Sequence, residues 1–233
     1  MTRSAHVAVL FDLDGTLVDT APDMAGTVND MLERRSRPAL SLHEMRPLVS
    51  NGSRALVEHA FGREDEAATQ RRIGEFLEVY ATRVARHSAL FAGMDALLAS
   101  LERQSIVWGV VTNKPEGLSR ALMAGLALDQ RAGVLIGGDT LAQRKPHPLP
   151  LLHAAQKIDA PAARCVYVGD AERDISAGRS AGMTTITAGY GYVPTDDSAT
   201  SWGANFLVHT VEQLDELLMR RLLAKDRIAH GYH

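Results

Sequence analysis

The chain has 233 residues, of which 45% are hydrophobic and 23% charged, the balance of a soluble globular protein. Its formal net charge of −3 offers no basic field for nucleic acid, and no apolar stretch approaches the ~20 residues of a membrane span. The single cysteine, Cys165, excludes an intramolecular disulfide. These features predict a cytoplasmic enzyme that binds neither nucleic acid nor membrane.

Short apolar runs that suit buried strands alternate with segments of helical periodicity. The predicted strands are His6–Phe11, Ile106–Val111, Gly133–Ile136, Cys165–Val168, Thr184–Thr187 and Asn205–Val208. The predicted helices are Met94–Arg103, Leu118–Leu126, Leu149–Lys157, Asp174–Ala181 and Val211–Leu223. This alternation predicts an α/β fold with a parallel sheet that is covered on both faces.

Residues from about Pro22 to Ser88 interrupt the alternation with helical periods and no convincing strand. The helical segments there are Met24–Arg34, His43–Val49, Ser53–Phe61 and Thr69–Val84. We therefore predict an all-helical domain at 21–88, inserted in a core domain made of 1–20 and 89–233. The last residues, Arg227–His233, are predicted to be a polar tail.

The first candidate site motif follows the first strand and contains Asp12, Asp14, Gly15 and Thr16. Ligands of open α/β sheets bind at the carboxyl ends of strands, where this motif is expected. Two carboxylates placed there repel each other unless a cation joins them. A polar turn with capping aspartates is the alternative, and the Gly-Thr pair directly after a buried strand favours a site.

Three further motifs follow later strands or precede a helix. The hydroxyl of Thr112 and the amide of Asn113 can bind a phosphoryl oxygen without adding negative charge. Lys145 precedes a proline, which restrains its backbone, and it can point its own ammonium group into a site. Asp170 can serve as a metal ligand and Asp174 as a supporting carboxylate, although Asp174 also suits the first turn of a helix. Each motif alone also fits a turn, a basic loop or a helix cap, so the prediction rests on their joint arrangement.

In this order, the four motifs resemble those of the haloacid dehalogenase superfamily, over roughly Val7–Leu218. The resemblance implies a Rossmann-like core with an inserted helical cap, the domain predicted at 21–88. It implies that Asp12 is the nucleophile of an aspartyl-phosphate mechanism and that Asp14 is the general acid and base. Thr112 and Asn113 would hold phosphoryl oxygens, and Lys145 would neutralise charge between Asp12 and the phosphate.

The resemblance also implies a Mg²⁺ cofactor. Asp12, the backbone carbonyl of Asp14, and Asp170 would hold the ion, with Asp174 supporting or sharing it. Mg²⁺ prefers oxygen ligands and few carboxylates, which fits this set.

Within the superfamily, several stretches resemble the phosphoglycolate phosphatase group. These are Phe11–Pro22, Thr112–Pro115, Gly137–Asp139, Lys145–Pro148 and Gly189–Tyr192. A close relative in the group, the N-acetylmuramic acid 6-phosphate phosphatase, resembles the chain at His87–Met94, Val107–Pro115 and Trp202–Ala204. The expected substrate is a small phosphate monoester, first 2-phosphoglycolate and alternatively the amino-sugar phosphate.

Substrate choice is expected to depend on the cap, where the turn Ser50–Arg54 is the candidate. The turn contains Gly52 and precedes a predicted helix whose N-terminus favours an anion, and Arg54 can pair with a substrate carboxylate. A solvated loop between cap helices is the alternative. Arg173, inside the fourth motif, is predicted to face solvent, and contact with the substrate is the alternative.

The same residues also bear on other functions of this superfamily. A dehalogenase needs neither Asp14 nor Asp170, so the presence of both argues against that activity. A phosphonatase needs a lysine in the cap, and residues 22–88 contain none, which excludes that activity. A β-phosphoglucomutase shares every core motif and stays open. A non-enzymatic binding module would be expected to lose a core acid or Lys145, and all are present. The sequence leaves monomer and homodimer open.

Overall fold

The computed structural model describes residues 7–193 and 198–223, so the predicted tail at Arg227–His233 lies outside the described residues. Within them, six parallel strands form one sheet in the order β5-β4-β1-β6-β7-β8, and β2 and β3 form a separate antiparallel pair. The strands are β1 (Ala8–Phe11), β2 (Val18–Asp19), β3 (Ala89–Leu90), β4 (Val107–Val111), β5 (Leu135–Ile136), β6 (Cys165–Gly169), β7 (Thr184–Ala188) and β8 (Phe206–Val208).

Helices flank the sheet and fill the insert. In chain order they are α1 (Ala21–Glu33), α2 (Leu42–Met45), α3 (Gly52–Phe61), α4 (Glu66–Ala81), α5 (Met94–Arg103), α6 (Glu116–Gly125), α7 (Leu149–Lys157), α8 (Glu172–Ser180) and α9 (Val211–Leu217). None of these helices combines the length and the apolar character that a membrane crossing requires.

The central strand β1 is fully buried because helices cover both faces of the sheet. Side chains alternate along a strand, so Val9 and Phe11 pack with α5 and α9, whereas Leu10 packs with α7 and α8 on the opposite face. The predicted α/β fold with a parallel sheet is confirmed. The β1 strand pairs with β4 on one side and β6 on the other, so these three carboxyl ends lie side by side.

The insert, α1 to α4, packs around a hydrophobic cluster of its own that includes Met31, Leu56 and Phe76. The two-residue strands β2 and β3 pair where the chain enters and leaves the insert. The prediction of a helical insert agrees with this architecture, and the exact domain boundaries stay a prediction.

One predicted cap helix differs from the structure. Instead of a single helix at His43–Val49, α2 ends at Met45 and a 3₁₀ segment continues over Arg46–Asn51. Pro47 has no backbone N–H to donate to the preceding turn, which interrupts the α-helical hydrogen bonds. Gly52 follows with φ of +79°, a conformation that glycine adopts without strain.

Candidate active site

The carboxyl ends of β1, β4 and β6 bring the core motifs to one edge of the sheet. Asp12 follows β1 and its backbone N–H donates to Val168 of β6, while Thr112 follows β4. Asp170 follows β6 directly, and Asp174 lies in the first turn of α8. Parallel pairing therefore gathers residues that are up to about 160 positions apart in sequence.

Three carboxylates form a buried acidic cluster at this edge. Asp12, Asp170 and Asp174 each offer an oxygen, and these oxygens all lie within 4.8 Å of one another. Burial, and then the neighbouring charges of Asp12 and Asp174, raise the pKa of Asp170 to about 7. Hard carboxylate oxygens converging in a buried pocket are the donors that Mg²⁺ prefers, so this residue set fits the ion.

Lys145 lies against the acidic cluster. Its Nζ is 2.9 Å from Asp12 Oδ1 and 2.7 Å from Asp174 Oδ1, and it donates hydrogen bonds to Val111 O and Tyr167 Oη. Burial lowers the pKa of Lys145, but the two carboxylates more than compensate and leave its pKa raised. The ammonium therefore remains charged and offsets part of the negative charge around Asp12.

The side chain of Asn113 holds the loop that carries Lys145. Its Nδ2 donates to Lys145 O at 2.9 Å, and its Oδ1 accepts from Lys145 N at 3.1 Å. The neighbouring Thr112 hydroxyl accepts from Lys114 N at 3.1 Å, which leaves its proton available for an acceptor in the cavity. The structure thus brings both predicted phosphate-binding residues to the site and shows a clamping contact of Asn113 that the sequence did not reveal.

Asp14 lies beside the cluster with partners of its own. Its Oδ1 accepts from Thr20 Oγ1 at 2.6 Å and from Lys114 Nζ at 3.0 Å. Burial opposes the charge of Lys114, but the Asp14 carboxylate overcomes this effect and raises the pKa of Lys114. Directly after Asp14, Gly15 has φ of +82°, and a Cβ there would collide with the carboxylate of Asp170.

The cap contacts the acidic cluster through Ser50. Its Oγ donates to Asp170 Oδ2 at 2.6 Å, and its carbonyl accepts a hydrogen bond from Arg173. Arg173 is half-buried at the cavity, so the prediction that it faces solvent is wrong. The reason is the cap itself, which covers the first turn of α8.

The two cap residues predicted to bind substrate line the cavity at its rim. Gly52 begins α3, and Arg54 follows in its first turn. The Arg54 guanidinium is bound to Glu66 at 2.6 Å and Glu58 at 3.3 Å, and its side chain is 42% exposed. Arg54 is therefore paired within the cap, and a substrate carboxylate would have to compete with two glutamates for it.

A cavity of about 630 Å³ lies between the cap and the strand ends. Its floor contains Asp12, Asp14 and Lys145, and its cap side contains apolar side chains such as Phe76 and Leu77. A charged floor opposite a cap side of mixed apolar and polar side chains suits a phosphorylated organic molecule, with the phosphate directed at the aspartates.

Tyr192 links the cap hinge to the acidic cluster, a role that the sequence did not indicate. Its backbone N–H donates to Asp170 Oδ2 at 2.9 Å. Its hydroxyl donates to Asp19 at 2.7 Å and accepts from the N–H of Ala21 at 2.9 Å, where the insert begins. Arg46 of the cap also binds Asp19 through two hydrogen bonds.

The chain is similar to known proteins over most of its length. The haloacid dehalogenase-like hydrolase family matches residues 9–188. A phosphoglycolate phosphatase of Xanthomonas campestris pv. campestris strain 8004 is 52% identical over 209 residues, 90% of this chain and 95% of that protein. An N-acetylmuramic acid 6-phosphate phosphatase of Pseudomonas putida KT2440 is 42% identical, over 88% of this chain and 93% of that one.

The fold has close counterparts among solved structures. A crystal structure named as a predicted phosphoglycolate phosphatase of Haemophilus somnus 129PT superposes with a TM-score of 0.79 at 25% identity. The match covers 93% of this chain and 99% of that one, so it includes both the sheet and the helical insert.

Proposed function

The chain belongs to the haloacid dehalogenase-like hydrolase family, and from that membership we propose that it hydrolyses 2-phosphoglycolate to glycolate and phosphate. Phosphoric monoester hydrolysis is the activity of its curated relatives, and the phosphoglycolate phosphatase at 52% identity supports this substrate. The observation that carries the chemistry is the contact of Asp12 with Lys145 beside the three-carboxylate cluster.

Asp12 is the proposed nucleophile. Its described contacts, with Leu13 N and Lys145 Nζ, both use Oδ1, so we assign the attack on phosphorus to Oδ2. Attack forms an aspartyl phosphate and breaks the bond between phosphorus and the leaving alcohol oxygen. Lys145 reduces the repulsion between the carboxylate and the phosphate dianion, because its charge lies 2.9 Å from the nucleophile.

Asp14 is the proposed general acid and base. It gives its proton to the leaving oxygen, and it then takes a proton from the water that hydrolyses the aspartyl phosphate and regenerates Asp12. Thr112 and Asn113 are the proposed ligands of the phosphoryl oxygens. The covalent intermediate divides one difficult hydrolysis into two successive displacements. The fixed positions of these side chains lower the barrier of each displacement.

Mg²⁺ is the proposed cofactor. Asp12, the Asp14 carbonyl and Asp170 would hold the ion, with Asp174 supporting, and the ion would offset the charge that accumulates on the phosphoryl group. The pKa of Asp170, raised first by burial and then by the charges of Asp12 and Asp174, supports this assignment, because a bound cation offsets both effects.

N-acetylmuramic acid 6-phosphate is a second candidate substrate, and one observation favours it. The cavity of about 630 Å³ has polar and apolar side chains on its cap side and exceeds the space that the small glycolate group needs. The relative from Pseudomonas putida at 42% identity carries that activity in its name.

The test is magnesium-dependent phosphate release from 2-phosphoglycolate, N-acetylmuramic acid 6-phosphate and β-glucose 1-phosphate. The proposal expects kcat/KM for 2-phosphoglycolate to exceed the other two at least about tenfold. A higher value for the amino-sugar phosphate transfers the proposal to the second candidate. Conversion of β-glucose 1-phosphate to an isomer without phosphate release would contradict hydrolysis.

A further inference from the structure

Lys114 is a buried lysine whose place in the cavity the reaction steps above do not use. It follows Thr112 and Asn113 at the end of β4, and its ammonium lies 3.0 Å from Asp14 Oδ1. Lys114, Asp14 and the cap residue Tyr80 all line the same cavity. A charged group that close to the proposed general acid lies close to the leaving oxygen of any productively bound substrate.

Tyr80 of α4 covers Lys114 from the cap. The Lys114 Nζ lies 4.3 Å from the centroid of the Tyr80 ring, so the ammonium is in cation–π contact with this side chain. The Tyr80 side chain is almost fully buried, and among the described residues its hydroxyl donates to no acceptor. Burial raises the pKa of Tyr80, so the hydroxyl keeps its proton and can donate it. A buried donor without an acceptor is costly, and this hydroxyl lines the cavity, so it is placed to donate to a bound ligand.

The other cations that line the cavity have different positions or partners. Lys145 is bound to Asp12 and Asp174, and Arg173 donates to the carbonyl of Ser50. Arg54 is paired with two cap glutamates, and Arg144 is exposed at the rim. Lys114 is therefore the cation that lies next to Asp14 in the described part of the cavity.

We propose that Lys114 and Tyr80 form the subsite for a carboxylate carried on the carbon next to the leaving oxygen of the substrate. The proposal rests on the proposed hydrolysis of a phosphate monoester at Asp12. In 2-phosphoglycolate, a single methylene group separates the leaving oxygen from the carboxylate. With that oxygen at Asp14, the carboxylate lies within reach of the Lys114 ammonium and the Tyr80 hydroxyl.

This subsite assigns a specificity role that differs between the two candidate substrates. In N-acetylmuramic acid 6-phosphate, the lactyl carboxylate is attached through carbon 3, far from the phosphorylated oxygen on carbon 6. That carboxylate cannot reach a group that lies 3.0 Å from Asp14 while the phosphate is at Asp12. Lys114 therefore selects 2-phosphoglycolate-like acids, and Tyr80 adds the cap's contribution to the same choice.

The experiment compares 2-phosphoglycolate with 2-hydroxyethyl phosphate, in which a hydroxymethyl group replaces the carboxylate. Lys114→Met removes the charge and keeps the length of the side chain, and Tyr80→Phe removes only the hydroxyl. Lys157→Met, on an exposed lysine of α7, is the matched control. The readout is the ratio of kcat/KM for the two esters, because loss of the Asp14 partner alone lowers both values together.

Lys114→Met is expected to lower this ratio about 10- to 100-fold, the effect of losing a charge-assisted hydrogen bond. Tyr80→Phe is expected to lower it about 3- to 10-fold, and Lys157→Met to leave it unchanged. An unchanged ratio in Lys114→Met overturns the proposal, as does an equally large loss of the ratio in Arg54→Ala.

A binding measurement separates this proposal from the proposed function. Calorimetric titration of Asp12→Asn with both esters in MgCl₂ is repeated in the Asp12→Asn/Lys114→Met double variant. Selective loss of 2-phosphoglycolate affinity supports the subsite even where the wild-type protein hydrolyses neither ester, in which case the proposed function fails. Equal affinity losses for the two esters overturn the subsite, whatever the turnover.

Discussion

Ser50 of the cap donates a 2.6 Å hydrogen bond to Asp170 of the core, one of the three clustered carboxylates. The same cap residue accepts a hydrogen bond from Arg173 through its carbonyl. The cap therefore contacts the candidate metal site directly, and not only the space above it. The position of the cap and the ionisation of Asp170 are therefore coupled through the hydrogen bond between Ser50 and Asp170.

Ser50→Ala is expected to weaken that coupling. The hydrogen bond to a buried carboxylate contributes about 1.5–3 kcal/mol, so the free energy of unfolding of the metal-free protein should fall by an amount in this range. Urea denaturation in EDTA measures the change. Ser53→Ala, in the same turn, is the control and should alter the unfolding free energy by less than about 0.5 kcal/mol. Equal losses in the two variants would contradict the coupling.

Asp23 is expected to be the main anchor of the segment that returns from the cap. It is buried in α1, and its carboxylate accepts hydrogen bonds from the backbone of His87 and from both the backbone and hydroxyl of Ser88. Asp23→Ala leaves these donors without an acceptor, so the unfolding free energy should fall by about 3 kcal/mol or more.

The control for Asp23 lies on the same helix. Asp30 binds Arg83, also on the returning segment, but at a partly exposed pair. Asp30→Ala should lower the unfolding free energy by no more than about 1 kcal/mol. Similar losses for Asp23→Ala and Asp30→Ala in urea denaturation would show that Asp23 has no special anchoring role.

The raised pKa of Asp170 predicts that the stability of the metal-free protein depends on pH. Its pKa is raised to about 7 in the folded state, above the ~4 of an unfolded aspartate, so the folded state binds the extra proton between these values. Stability should therefore fall as the pH rises from about 4 to about 7 in EDTA, and MgCl₂ should restore it near pH 7. Thermal unfolding across this range measures both effects.

Asp170→Asn provides the matching variant for this prediction. It should flatten the slope of Tm against pH in EDTA and reduce the gain in Tm from MgCl₂. An unchanged slope together with a full magnesium-dependent gain would contradict the assignment of Asp170 as a ligand.

The core of the fold was predictable because its signals are strong and local. The helix at Met94–Arg103 was predicted with the bounds that the structure shows, since its apolar residues recur at helical spacing. The pair β2 and β3 was not predicted, because two-residue strands contain no periodic pattern. The helix predicted at His43–Val49 breaks because Pro47 donates no backbone N–H to the preceding turn, an effect that apolar periodicity does not register.

The site was predictable where a motif sits at a strand end. Asp12 and Asp170 were found in this way, and the structure brings them together. Lys114 was visible only as part of the Thr-Asn-Lys stretch, because its importance comes from contact with Asp14, 100 positions away. Tyr192 was visible only as part of the Gly189–Tyr192 stretch, since its bonds to Asp170 and Asp19 exist only after the chain folds.

The central claim, that Asp12 accepts the phosphoryl group, is tested most directly by trapping the intermediate. Protein mixed with 2-phosphoglycolate and MgCl₂ is acid-quenched within a turnover, and its peptides are analysed by mass spectrometry. The account predicts a phosphoryl group on Asp12 of the wild-type protein. Folded Asp12→Asn should show neither this phosphoryl group nor turnover, and Asp129→Asn, a surface control, should retain both. Full phosphate release by Asp12→Asn, or label on another residue, would contradict it.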